Sequence, residues 1–340
     1  INAIYHQNLV LSDATTTLPG PDYQLHFNSS NITPQSGATA ANPTITGLYY
    51  MTNSSQGYSY FITGQLQRSF LNGFQASIAY TYNASKDVND GGSTASTIWS
   101  SRPVAGDPNA DNLSNSSYYQ PNRVIATLAY KKEYAKNFAS SIGLTMESAN
   151  NGVISYVYNG DVNGDGQTSN DLMYIPAAQN DLEIVAAGGT DPRTATQEWN
   201  QLNNFINQDP YLSKHRGQYA ERNGATLPLY QMYNLNLTQD FYVKSGKYKN
   251  TIRVTFDIIN LGNFLNKYWG LAQVSAITGG TGNVSLLKYT GVIDPVTGKQ
   301  EFTVPYLNTA NQTTINNSYQ YDTSQFSRWQ AQLGLRYIFN

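Results

Sequence analysis

Cysteine is absent from the 340 residues. Disulfide scaffolds, thiolate metal sites and cysteine nucleophiles are therefore excluded, while the redox compartment stays open. Charge is scarce as well: 12% of residues are charged, against roughly 25% in an average soluble domain. Something other than water is expected to face much of the chain. With 20 Lys+Arg, 22 Asp+Glu and a net charge of -2, there is no basic footprint for phosphate backbones, and nucleic acid is not an expected partner. No stretch approaches the ~18 consecutive apolar residues of a membrane-spanning helix, and mean hydropathy is -0.45. That excludes a transmembrane helix and leaves a transmembrane barrel open, because barrel strands alternate and look soluble on average. From Ile1 onward there is no basic, then apolar, leader pattern, so the chain reads as processed or as an interior start. His6, His26 and His215 are scattered, with no acid and nucleophile at a catalytic spacing and no phosphate-binding loop. No catalytic residue is assigned, and the expectation is a protein that is not an enzyme.

What is abundant is tyrosine, 27 residues, set in tracts that alternate with period two. Tyr58, Tyr60, Ile62, Gly64 and Leu66 interleave with Ser59, Phe61, Thr63, Gln65 and Gln67. Leu71-Asn72-Gly73 supplies a turn, and Phe74, Ala76, Ile78, Tyr80 and Tyr82 then interleave with polar partners, which predicts a hairpin. A second hairpin is predicted from Arg123–Lys131 and Phe138–Glu147, and a third from Leu229–Leu237 and Ile252–Ile258. A last strand runs from Trp329 to Phe339. Each is about ten residues long, the length a tilted strand needs to cross hydrocarbon. Ala3–Val10 would make an eighth strand, and Val284–Tyr289 with Glu301–Val304 would make ten, or else stand as a hairpin in an outer loop.

Turns within hairpins are short, whereas 86–120, 149–226 and 260–325 are long, polar connections. Alternating short and long loops fit an outer-membrane barrel better than a compact soluble domain. The expected fold is all-β: residues 1–340 as part of one transmembrane antiparallel β-barrel, with 149–226 a large extracellular loop. Tyr58, Tyr82, Tyr130, Tyr233, Trp329 and Tyr337 would form interfacial girdles. A soluble β-sandwich with an aromatic core is the competing fold. Arg123, Lys131, Glu147, Arg253, Asp257, Gln330 and Arg336 lie on the polar faces and would line the lumen, there either touching plug or substrate or pairing with one another.

Within the largest loop, Asp161, Asn163, Asp165 and Gly166 have the spacing of a calcium loop. The closing acid, Asp171, falls one position early. Ca2+ held by Asp161, Asn163, Asp165 and Asp171 with the Gln167 carbonyl is one expectation; an Asx-turn loop bonded to its own amides is the other. Thr194 with Gln197 resembles a capping box ahead of Trp199, Leu202, Phe205 and Ile206, predicting a short helix packed on the rim or presented to a partner.

Several motifs together carry a family resemblance. Asn260-Leu261-Gly262-Asn263 followed by Lys267-Tyr268-Trp269-Gly270 resembles the penultimate-strand region of TonB-dependent receptors. Leu333-Gly334-Leu335-Arg336-Tyr337-Ile338-Phe339 looks like their C-terminal strand, with Tyr337 and Phe339 as the aromatic assembly signal, here followed by Asn340. The Asp161–Gly166 and Asn170–Pro176 run, with His215-Arg216-Gly217 and Glu221-Arg222-Asn223-Gly224, is similar to Bacteroidetes-type receptors that carry a carboxypeptidase-regulatory-like N-terminal domain. The resemblance covers most of the chain from Tyr58 and implies the C-terminal 8–10 strands of a 22-stranded barrel. It also implies a bacterial outer-membrane location, outer-membrane lipid around the wall, and energy-coupled uptake of an unspecified ligand. A plug domain and a contact to the inner-membrane energy-coupling complex would lie before Ile1, and a surface lipoprotein or other partner would meet the extracellular loops. The alternatives are a passive pore and a scaffold or adhesin within a larger surface assembly.

Overall fold

Residues 2–6, 49–246, 248–306, 312 and 314–339 are described in a computed structural model of the chain. In chain order the principal strands are β1 (Tyr58–Ser69), β2 (Phe74–Asp87), β3 (Asn122–Tyr134), β4 (Phe138–Asn150), β5 (Val153–Asn159), β6 (Leu229–Ser245), β7 (Tyr248–Ile259), β8 (Gly282–Ile293), β9 (Gln300–Thr303) and β10 (Gln330–Phe339). Among the described residues three α-helices accompany them: α1 (Ala95–Ser101), α2 (Ala195–Gln208) and α3 (Leu261–Leu265).

The architecture is all-β. Seven long strands form one antiparallel wall in the order β1-β2-β3-β4-β6-β7-β10, and the two-residue strand Ser114–Asn115 extends it beside β2. The hairpins expected from the sequence are all present, with β10 paired to β7 from Gln330–Ile259 through Phe339–Asn250. The wall has two edges, β1 and β10, which do not pair with each other among the described residues. Gly73 illustrates how tightly a turn is fitted. Its φ is +87°, Lys131 N–H donates to its carbonyl, and a Cβ there would lie 2.2 Å from the Lys131 oxygen, so only glycine satisfies both constraints.

Because every hairpin turn is at one end of the wall, all three long connections leave from the other. They do not form separate loops. The second sheet has the order Glu183–Ile184, β9, β8, β5, Ala225–Thr226, so it takes strands from both the 151–228 and the 260–329 connections. Its core is the largest buried apolar cluster among the described residues, including Tyr156, Tyr158, Met173, Ile175, Leu286 and Phe302. The Thr194 and Gln197 capping box starts α2, whose Trp199, Leu202, Phe205 and Ile206 are buried in that core. The helix is thus packed into the loop unit by its apolar face. Glu198, fully buried, braces it by accepting from Ala187 N–H at 2.7 Å and Val304 N–H at 2.6 Å.

One open strand assignment is decided and one is corrected. Val284–Tyr289 and Glu301–Val304 belong to β8, β9 and the residue after them, in the loop sheet: β8 runs parallel to β5 and is buried at Val284, Leu286 and Leu287, a pattern that buries both faces rather than one. Asn2–His6 pairs with Tyr49–Asn53 in a two-stranded sheet apart from the wall, so Ala3–His6 is not a wall strand, and residues 7–10 lie outside the described residues. Among the described residues the long wall strands number seven, where the sequence suggested eight or ten. The 149–226 segment is likewise only one part of a unit built from several connections.

At the heart of that unit Asp209, fully buried, caps α2. It accepts from the Tyr156 hydroxyl at 2.7 Å, the Ser318 hydroxyl at 2.5 Å and the amides of Tyr211 and Leu212. Burial, with Glu221 and Asp209 adding negative charge and the Glu221 N–H bond opposing, pushes the Tyr211 phenol up to about 12; burial beside Asp209 does the same to Tyr319. Each phenol is therefore held protonated in the fold above the pH at which the unfolded chain ionises it. Stability should be intact below pH ~10 and fall as pH rises from about 10 to about 12. Denaturant midpoints measured by tryptophan fluorescence across that window check this: Tyr319→Phe should flatten the fall, and an unchanged slope would contradict the assignment.

Candidate functional site

The register of the wall sorts its side chains into two surfaces. One carries Tyr60, Ile62 and Leu66 beside Tyr82, Tyr80, Ile78 and Ala76, and continues through Val124, Ala126 and Leu128, Ile142 and Leu144, Leu235 and Leu237, Val254 and Phe256, to Leu333 and Leu335. This surface is apolar, most exposed on its edge strands and half-buried to exposed between them: Leu66 is 76% exposed, Leu333 74% and Leu335 78%. Aromatic rings line both of its ends. Tyr58, Tyr60 and Tyr82 with Phe264 and Trp329 stand at the loop end, and Phe70, Phe74, Tyr134, Phe138 and Phe241 with Tyr337 and Phe339 at the turn end. From Trp329 to Phe339 the strand covers about 33 Å at ~3.3 Å per residue, or about 25 Å of height at a ~40° tilt, the height of a barrel's apolar band.

The other surface is polar. Arg123, Lys131, Glu147, Arg253, Asp257, Gln330 and Arg336 all fall on it. They do not converge on one point. Arg123 pairs with Glu147 at 2.8 Å, Lys131 with Glu133 at 3.6 Å, and Asp257 accepts from the Asn236 amide. Arg253 is held by both oxygens of Asp240, at 2.7 and 2.8 Å. Asp240 escaped the sequence reading although it continues the polar series Asn234, Asn236 and Thr238. Its charge matters because Arg336 stands directly opposite Arg253 in register, where two cations repel. Gln330 stands opposite Ile259. Tyr337 and Phe339 lie on the apolar surface, with the Tyr337 hydroxyl donating to Asn250 Oδ1 at 2.8 Å.

The Asn260–Gly270 motif forms the corner where β7 meets the loop unit. Asn260 is buried with φ +55° and caps α3; its amide donates to the carbonyls of Gly270 at 2.8 Å and Ser327 at 3.3 Å. Asn263 donates to the Lys267 and Trp269 carbonyls and accepts from Trp329 N–H, so the corner splices β7 to the entry of β10. A Cβ on Gly270, at φ +63°, would overlap the Asn260 side chain. These residues are structural.

In the loop unit, Asp161, Asn163, Asp165 and Asp171 sit in one tight turn. Asp161 Oδ2 accepts from Gly166 N–H, Asn163 Oδ1 from Asp165 N–H, Asp165 from Gln167 N–H and the Asn170 amide, and Asp171 Oδ2 from Val162 N–H at 2.7 Å. The Asx-turn network expected from the sequence is therefore present. Burial raises all three carboxyls, Asp165 to about 6 and Asp171 well above the usual range. Among the described residues, no three carboxylate, histidine or thiolate side chains converge as a metal cluster.

A cleft of about 290 Å3 between the connections is lined by Asn89, Asp90, Arg102, Ser117, Arg222 and Asn283. Its cations are already engaged: Arg102 donates to the Val88, Pro108 and Ala110 carbonyls, and Arg222 to Asp87. His215 stacks on Tyr211 with ring centroids 4.1 Å apart, in a packing role. Comparison with protein-family models, curated proteins and solved structures gives no match.

Replacing Asn260 tests the corner. Asn260→Ala strands the half-buried Gly270 carbonyl and that of buried Ser327, at up to about 1–3 kcal/mol for each group left unpaired. The unfolding midpoint should drop accordingly, and Asn260→Gly, which relieves φ but restores no bond, should recover little of it.

Proposed function

We propose that the wall is part of an outer-membrane β-barrel of the TonB-dependent receptor class, and that the loop unit is its external face. One observation carries this reading: an apolar surface seven strands wide, with large apolar side chains exposed on every one of its strands, bounded at both ends by aromatic rings and backed by a polar surface. A soluble sandwich would bury such a face against a second sheet; the second sheet here instead has its own core beyond the loop end of the wall. In lipid the same face is satisfied, and the polar face borders a lumen where the paired charges reside. The edges at β1 and β10, unpaired among the described residues, support a barrel with further strands, since a long uncovered edge invites pairing. Seven strands are about a third of a 22-stranded barrel, a size whose lumen is plugged.

Energy-coupled uptake of a ligand captured at the loops follows from the receptor resemblance, as do the plug domain, the inner-membrane coupling complex and the bacterial outer-membrane location. A loop unit with a packed core suits capture better than mobile loops would, because binding groups held on a rigid frame lose less entropy on binding.

Two tests bear on this. In the protein from its native membrane, Leu335→Arg, on the apolar face, should cost about 2–4 kcal/mol and deplete the outer-membrane fraction, while Gln332→Arg, three residues away on the polar face, should be tolerated. If Leu335→Arg is neutral and improves solubility, the face is wet and the membrane reading fails. Separately, the intact denatured mass of that protein should exceed about 100 kDa by simple proportion of strands. A mass near 37.5 kDa would rule out the receptor and leave a small pore or scaffold.

A further inference from the structure

The loop from Asp161 to Asp171 is a junction. Its own connection contributes β5, whose Tyr158 N–H donates to the Asp171 carbonyl at 2.8 Å. The 88–121 connection reaches it through Val104, which donates to the Asn170 carbonyl at 2.8 Å and accepts from Leu172 N–H at 2.9 Å. The 260–329 connection reaches it through Gln300, whose amide donates to the Val162 carbonyl at 2.6 Å. All three long connections are thus tied to one turn of chain.

That turn is also where buried polarity is left uncompensated. Among the described residues, eight buried side-chain polar atoms lack a partner, and four of them are here: Asp161 Oδ1, Asn163 Nδ2, Asn170 Oδ1 and Asp171 Oδ1. Asn163, Asp165, Asn170 and Asp171 are completely buried. None of the ion pairs among the described residues includes Asp161, Asp165 or Asp171. Folded proteins rarely leave buried carboxylate oxygens without hydrogen bond or counter-charge. Three of the four orphan atoms are oxygens that accept only, and they belong to residues that bracket one turn. The hydrogen bonds fix the opposite atom of each: Gly166 N–H holds Asp161 Oδ2, Val162 N–H holds Asp171 Oδ2, and Asp165 Oδ2 holds the Asn170 amide nitrogen at 2.8 Å.

We propose that this turn is a site for a hard divalent cation of the calcium class, held by Asp161 Oδ1, Asn170 Oδ1 and Asp171 Oδ1, and that the ion locks the three connections into one unit. Asp165, with both oxygens engaged, is a positioning residue that aims Asn170. The donor set is all oxygen, with two carboxylates and a neutral amide, and it lacks the nitrogen and sulfur that would favour a transition metal. Calcium accepts such an irregular set together with backbone carbonyls and water, whereas magnesium demands a near-octahedral one. Gly166, Thr168 and Ser169 are exposed and give the ion access. The site does not depend on the membrane assignment.

The test is calcium binding to the full-length protein after chelator treatment, by titration calorimetry with CaCl2 and with MgCl2, together with thermal unfolding. The expected result is about one calcium lost in Asp161→Asn and in Asp171→Asn, a midpoint several degrees higher with calcium, and at least about tenfold weaker binding of magnesium. Asp294→Asn, an acid in the β8–β9 turn, should bind as the unaltered protein does. If Asp171→Asn fails to fold, the partly exposed Asp161→Asn carries the comparison, with tryptophan fluorescence as the folding check. Absence of calcium binding in the unaltered protein, or equal binding in Asp161→Asn, would overturn the proposal.

Discussion

Every feature of this structure depends on the lateral hydrogen bonding of one antiparallel sheet. Seven strands pair in continuous register, so a side chain's face is decided by whether its position is odd or even in its strand. A slip of one residue in any strand would carry its apolar set to the polar surface. Gly73 packed against Lys131 at one end, and Asn260 splicing Gly270 and Ser327 at the other, hold the register where strand pairing alone leaves freedom.

From that register two further properties follow. Charges on the polar surface are brought within reach of partners across strands, and Asp240, paired to Arg253 from the strand on the side away from Arg336, shows how such pairing offsets the repulsion of the two facing cations. Hairpin turns also collect at one end, which forces all long connections to the other. Segments far apart in sequence then meet, and β5 and β8 form a parallel pair that neither connection could form alone.

The loop unit repeats the economy of a small globular domain on the end of a wall. Its apolar residues sink into a core around Tyr156, Phe205 and Phe302, while Glu198 and Asp209, buried but fully bonded, fix α2. The Asp161–Asp171 turn is the contrast: Asp161 and Asp171 are each bonded through Oδ2 and have a buried Oδ1 without a hydrogen-bond partner. A core of this kind holds the loop unit's surface on a packed frame, and groups held on such a frame lose less entropy when they bind.

Period-two alternation was enough to place the hairpins, the two surfaces and the polar residues upon them, because strand geometry is local and each face can be counted along the chain. The capping box of α2 and the spacing of Asp161, Asn163 and Asp165 were legible for the same reason: each depends on neighbours within a few residues. What the sequence could not decide were contacts between distant segments. Val284–Tyr289 could be a wall strand or half of a loop hairpin, and only its parallel partner β5 assigns it to the loop sheet; Ala3–His6 fails as a wall strand for the same reason, its partner being Tyr49–Asn53. Asp240 as the partner of Arg253, and Asn170 as the oxygen left bare beside Asp161 and Asp171, likewise come from tertiary structure, since burial and pairing are properties of the packed molecule and not of any stretch of chain.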